Sequence, residues 1–283
     1  MSAATPPDLD PQEEFIEAMP KPPFKISWQG AFSTAMYFLM YLPILVLTVY
    51  SFNESPYSAG WKGFTWRWYT QLFGDSRILA ALQTSLAVAF LAVGVSAVLG
   101  TMMSVGLSRY KFRGKKLYLG MSYLPTIVPD IAMAVATLVF LAALAIPLSL
   151  WTIIAAHVVF CLAYIAIVVS TRLADLDPHL EEAALDLGAT PIQSFFQVLL
   201  PQLAPGILSG CLLAFVLSLD DFLISSFTSG GGATTLPMEI FSRIRTGVKP
   251  DVNALSVLLI LFSGAIAFAG EYVRYRNQVK KTG

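Results

Sequence analysis

The stretch Ile131–Thr171, IAMAVATLVFLAALAIPLSLWTIIAAHVVFCLAYIAIVVST, carries no formal charge anywhere along its length. A helix rises about 1.5 Å per residue and about 30 Å of hydrocarbon must be crossed, so roughly 20 apolar residues make one crossing. The stretch is too long for one, and Ile146-Pro147-Leu148-Ser149 offers the break. It therefore predicts a hairpin of two membrane helices.

Similar runs lie on either side. Residues 26–53 and 78–108 are uncharged, and further apolar runs cover Gly206–Phe227 and Ala254–Val273. The expectation is an all-α, polytopic membrane protein whose six spans, at about 31–52, 79–107, 118–145, 150–171, 206–227 and 254–273, make one membrane domain over 26–283. Composition agrees: 56% of the 283 residues are hydrophobic and 13% are charged, against about 25% charged in a soluble domain. The formal net charge of zero argues for neither nucleic acid nor an acidic polymer as partner. Cys161 and Cys211 sit inside apolar runs, and His157 and His179 are the only histidines, so a zinc or haem site built from such ligands is not expected.

The segment Arg109–Lys116 holds five basic residues and no acid, which places it in the cytoplasm by the positive-inside rule. The tail with Arg274, Arg276, Lys280 and Lys281 agrees, so both termini are expected on that side and the loops at about 54–77 and 228–252 on the other. Trp61, Trp66, Trp68 and Tyr69 fit an interfacial aromatic belt. Residues 1–25, with Asp8, Asp10, Glu13, Glu14 and Glu17 among prolines, do not resemble a secretory signal and read as an acidic cytoplasmic extension.

One loop is plainly not membrane. In 175–200, Asp177 is placed to cap a helix that begins at Pro178 and carries Glu181 and Glu182 in its first turn. Gly188 ends that helix, and Thr190-Pro191 opens a second. A short helix, a tight turn and another helix can dock on a cytoplasmic partner.

Three acids lie within the spans: Asp130, behind Pro125 and Pro129, and the adjacent Asp220 and Asp221. A charge at mid-bilayer costs at least about 2.5 kcal/mol, so each must meet a partner, a cavity or a substrate. Neighbouring residues on a helix point about 100° apart, so the pair cannot face one pathway equally. One of the two is then free to cap a helix break or to pair with a basic residue of another subunit. No intramembrane Lys or Arg neutralises them, which makes a transported organic cation an attractive counter-ion. The plainer reading has Asp130 satisfying backbone groups at the proline break and the pair capping or gating.

Glu182-Ala183-Ala184, then Gly188-Ala189, and after an interval Leu200-Pro201, resemble the EAA motif that marks permease subunits of type I ATP-binding-cassette importers. The resemblance implies that Glu181, Glu182, Ala183, Ala184, Gly188 and Ala189 belong to a coupling helix seated on a nucleotide-binding subunit. No Gly-x-x-x-x-Gly-Lys-Ser/Thr phosphate loop exists in the chain, so it is expected to be no enzyme and to bind no cofactor, with ATP and Mg held by two partner ATPase subunits. A second homologous permease subunit, an external substrate-binding protein and a place in a bacterial cytoplasmic membrane are likewise implied. Ser218-Leu-Asp-Asp-Phe-Leu-Ile-Ser225, Thr234-Thr-Leu-Pro-Met238 and Gly247-Val-Lys-Pro-Asp-Val-Asn-Ala-Leu255 resemble the second permease of spermidine/putrescine importers. Asp130, Asp220, Asp221 and Phe222 are then the expected pathway residues. Gly230-Gly231-Gly232 departs from that family's Gly-Pro-Gly, and relatives in the subgroup carry ferric ion or phosphonates. An ion-coupled secondary transporter is disfavoured by the docking loop and the lack of inverted halves. An intramembrane enzyme holding Mg²⁺ on the Asp pair is disfavoured because no second acidic cluster exists.

Overall fold

The computed structural model describes residues 28–56, 60–177, 179–247 and 249–282, without side-chain detail at 271 and from 273 on. The acidic extension 1–25, Pro178 and the basic side chains of the tail lie outside the described residues. The chain divides into two units at Leu47–Thr48. Helix α1, Trp28–Tyr50, carries no charge and contains Pro43.

Everything else described here belongs to the second unit. It comprises α2 (Arg67–Gly74), α3 (Ser76–Arg109), α4 (Lys115–Tyr123), α5 (Asp130–Ala143), α6 (Leu150–Ala174) and α7 (His179–Asp186). A short α8 (Pro191–Ser194) passes through a π turn at Phe195–Leu199 into α9 (Leu200–Asp220), and α10 (Leu223–Thr228), α11 (Leu236–Thr246) and α12 (Pro250–Thr282) follow. No strand occurs among the described residues; a single bridge pairs Asn53 with Phe64.

Among the described residues, five continuous helices are long and apolar enough to cross a membrane, and a sixth crossing exists if a bent pair is counted as one. That pair is the expected third span. Lys115–Thr126 and Asp130–Ala143 meet at 109°, because Pro125 and Pro129 remove amide donors and Ile127 to Pro129 leave the helical ladder. The hairpin break downstream is made by Ala145, which adopts a positive φ of 53°, and by Ser149, which caps α6 in a capping box with Thr152.

The core is α6 packed between α3 and α9. Phe160, Cys161, Ile165, Val169 and Leu203 are buried at its centre. Close approach depends on missing side chains: a Cβ on Gly210 would lie 3.2 Å from the Ile165 Cα, and one on Gly206 would lie 2.8 Å from the Arg172 Cβ. Polar threads run between α3 and α6, where the Ser104 hydroxyl donates to the Ala166 carbonyl at 2.9 Å and Ser96 to Val158 at 3.2 Å. In lipid such bonds contribute about 0.6 kcal/mol each.

At the Asp75 end of α3, Trp68, Leu72, Ile78, Leu236 and Leu255 form a second buried cluster. Trp68 is therefore a core residue, and its indole N–H donates to the Asn53 carbonyl at 2.7 Å. Trp61 and Trp66 remain exposed, and Trp66 joins Phe52, Phe64 and Tyr69 in a ring cluster. The expected aromatic belt is thus part core and part surface.

Candidate functional site

The elbow between α6 and α9 is built by local codes. Asp177 accepts from the His179 amide at 2.9 Å. Gly188, at φ +90°, closes α7: its N–H donates to the Leu185 carbonyl and that of Ala189 to the Ala184 carbonyl. This is a Schellman ending, which requires the left-handed backbone that glycine adopts without strain. Thr190 and Gln193 then form a reciprocal capping box around Pro191.

The elbow's side chains divide into two sets. Glu181 pairs with Arg109 at the end of α3, which ties α7 to the core. Glu182 is exposed and bonds to His179, whose imidazole is raised above its ordinary pKa by that bond and by the field of Asp177. Ala183 and Gly188 are exposed and Ala184 and Ala189 partly so, while Leu187 and Ile192 are 89% and 72% exposed.

The second feature is the break at Asp220-Asp221. Helix α9 ends at Asp220, Asp221 is extended at φ −70° and ψ 120°, and α10 begins two residues later. The turn sends the two carboxylates different ways. Asp221 points inward with 10% of its side chain exposed. Its Oδ2 accepts from the Ser225 amide at 2.7 Å, its Oδ1 from the Ile224 amide at 3.2 Å, and Oδ2 lies 3.3 Å from His157 Nε2. His157 is fully buried on α6 and bonds Ser218 at 2.8 Å and Ser225 at 3.1 Å.

Asp220 instead lines a cavity of about 400 Å³ with Phe222, Ile240, Phe241, Ser256 and Ile260. The rings of Phe222 and Phe241 stand 4.3 Å apart. A carboxylate beside aromatic faces and a hydroxyl suits an ammonium group, through a charge-assisted hydrogen bond and cation–π attraction. Asp130, the exposed first residue of α5, is not among the lining residues. Among the described residues no group of three His, Cys, Asp or Glu side chains could hold a metal ion.

A third feature was not anticipated. Arg243 on α11 bonds Asp75, Glu239 and Asp251 at 2.6, 2.9 and 3.1 Å, using all three guanidinium nitrogens. Burial alone pushes the Asp75 carboxyl up, but the bonds from Arg243 and from the Ile78 and Arg77 amides outweigh it and hold the group below its usual range. Neither this cluster nor the role of His157 was visible in the sequence. The one signal for His157 is a lone imidazole in a long uncharged run.

The molecule is thus a bundle of membrane-length helices with a capped elbow between α6 and α9 and a polar break at Asp220-Asp221. Residues 96–276 match the family described as binding-protein-dependent transport system inner membrane component, and the chain belongs to that family. It is thus a multi-pass inner-membrane protein. It is 41% identical to the putrescine transport system permease protein PotI of Escherichia coli over 92% of this chain and 95% of that one. It is 39% identical to the spermidine/putrescine transport system permease protein PotC of Haemophilus influenzae, over 88% and 97%. Among solved structures, a bacterial alginate ABC transporter in complex with its periplasmic protein aligns with a TM-score of 0.67 at 15% identity, over 88% of this chain and 93% of that one. The MetNI methionine ABC transporter aligns at 0.54 and 24%, over 69% and 92%. Those two likenesses show the fold alone.

Proposed function

We propose that this chain is the permease subunit of an ATP-driven, binding-protein-dependent importer of polyamines. The observation that carries the reading is Asp220 on an aromatic-lined cavity, in a chain about 40% identical to putrescine and spermidine permeases. Asp220 and Phe222 contact the cationic cargo, Asp130 lies along its path, and Asp221 shapes the wall.

The elbow 175–200 faces the cytoplasm, as Arg109–Lys116 does, and both termini lie there. Glu182, Ala183, Ala184, Gly188 and Ala189 form the surface that a nucleotide-binding subunit grips, and Glu181 returns the movement to the core through Arg109. A complete importer has a second homologous permease subunit to close the pathway, two ATPase subunits that hold ATP and Mg, and an external delivery protein. The present chain hydrolyses nothing itself.

The test is uptake of radiolabelled putrescine and spermidine by the complex in proteoliposomes. ATP-dependent uptake that falls about tenfold or more in Asp220→Asn, with ATP hydrolysis retained, is expected from loss of a desolvated charge contact. Uptake that proceeds on an ion gradient without the ATPase subunits sinks the assignment, and undiminished uptake by Asp220→Asn removes Asp220 from the pathway.

A further inference from the structure

A buried imidazole is tolerated only where both ring nitrogens are bonded, and those of His157 are. The ring's bonds go to a particular place. Ser218 lies in the last turn of α9, Ser225 in the first turn of α10, and Asp221 in the extended link between them. One side chain on α6 thereby holds both banks of the break at separations of 61 to 68 residues along the chain.

The break needs such a hold. A helix as short as Leu223–Thr228 is unstable alone, since its few internal bonds do not repay nucleation. Asp221 supplies its cap through the Ile224 and Ser225 amides, and His157 in turn fixes Asp221. If Asp221 were released, α9 could continue one residue further, which would place the Asp221 carboxylate about 100° around the helix from that of Asp220 and remove the extended link that fixes where α9 ends beside the cavity.

We propose that His157 is a positioning residue for cation passage: by clamping Asp221, Ser218 and Ser225 it holds Asp220 with its carboxylate on the cavity. One acid of the pair then meets the cargo and the other never does. This rests on the reading of Asp220 as the cargo contact. It assigns the two carboxylates separate duties and gives His157 a role in cargo handling despite its having no access to the cavity.

The experiment is a double-mutant cycle on the complete importer in proteoliposomes, reading putrescine taken up per ATP hydrolysed. His157→Ala is expected to lower that ratio on the order of tenfold at equal amounts of assembled permease. His157→Gln, which keeps a donor and an acceptor at that depth, is expected to restore all but about threefold. In an Asp220→Asn background, His157→Ala is expected to add nothing, since it acts through the group already removed. If the Ala variant fails to assemble, the Gln variant takes its place in the same cycle. A purely structural histidine would lower uptake and ATP hydrolysis together and leave their ratio unchanged, which overturns the proposal. So does full additivity of the two substitutions when Asp220→Asn itself lowers the ratio. An Asp220→Asn variant with an unaltered ratio overturns the underlying reading of Asp220, and the proposal with it.

Discussion

The two ends of α3 carry ion pairs of opposite character. At the Asp75 end, Arg243 spends every guanidinium nitrogen on three carboxylates of its own chain. At the other end, Arg109 reaches Glu181, but its Nε is buried without a hydrogen-bond partner among the described residues. Nearby, Leu187 and Ile192 stand almost bare. A surface whose charges are internally satisfied has little left to offer another protein, whereas exposed apolar side chains on a rigid capped turn invite one. The comparison puts stability at the Arg243 end and leaves exposed apolar side chains at the elbow, where the proposed partner contact falls.

Gly188 offers the strongest way to break that comparison. Nothing lies within 4 Å of a Cβ added there, so a larger side chain meets no clash inside this chain and is penalised by the positive φ alone. A β-branched residue at that φ costs on the order of 1–3 kcal/mol. Gly188→Val is expected to lower ATP-driven uptake by about tenfold or more with the protein still inserted, and Gly188→Asn, which tolerates the left-handed region, to lower it far less. Equal losses in both, measured as uptake per inserted permease, would shift the cause from backbone strain to bulk in a partner's groove.

Arg243→Ala should act on stability instead. It strands three carboxylates and is expected to cost about 2–3 kcal/mol, read as a drop in the thermal midpoint of the purified protein. Adding Asp75→Asn should return part of that loss, because one stranded charge is removed. A midpoint unchanged by Arg243→Ala would show that the cluster is decorative.

Acid sharpens the same contrast. The Asp75 carboxyl is held below its ordinary value of 3.8, so its contribution is fully present above pH 4 and is lost as the pH falls through the lower, folded value. The thermal midpoint should therefore be level from pH 7 to about 5 and decline below about 4. In Asp75→Asn that decline should be shallower. His179 has the opposite sign: its raised value stabilises below pH 6.5 and fades above it, but on so exposed a side chain the effect should not be seen in the midpoint.

The Arg109–Glu181 pair is expected to give the smallest shift. At an exposure similar to that around Arg243 it joins one carboxylate to the guanidinium where Arg243 gathers three, so about 1 kcal/mol is at stake. Charge exchange, Arg109→Glu with Glu181→Arg, should recover most of the uptake lost by either single change. Failure of the exchange to recover uptake would show that Glu181 is engaged by another chain as well.

Much of the elbow was legible because its signals act within a few residues. Asp177, Gly188 and Thr190-Pro191 each appear in the role that their backbone chemistry predicts. The bend in the expected third span was legible in its cause, Pro125 and Pro129, but not in its angle of 109°. Likewise the run Gly206–Phe227 reads as one apolar segment, yet α9 stops at Asp220. Hydropathy does not register a break that a distant histidine stabilises.

What the sequence by itself determined is the membrane class, the helix-forming runs and the capped elbow, because each follows from the hydropathy of a run or from neighbours along the backbone. Only the tertiary structure decided which of Asp220 and Asp221 turns to the cavity, what His157 holds and where Arg243 spends its charge. Those choices depend on how helices distant in sequence rotate and pack against each other, and a charge or a ring nitrogen in the sequence carries no record of the partner it will meet.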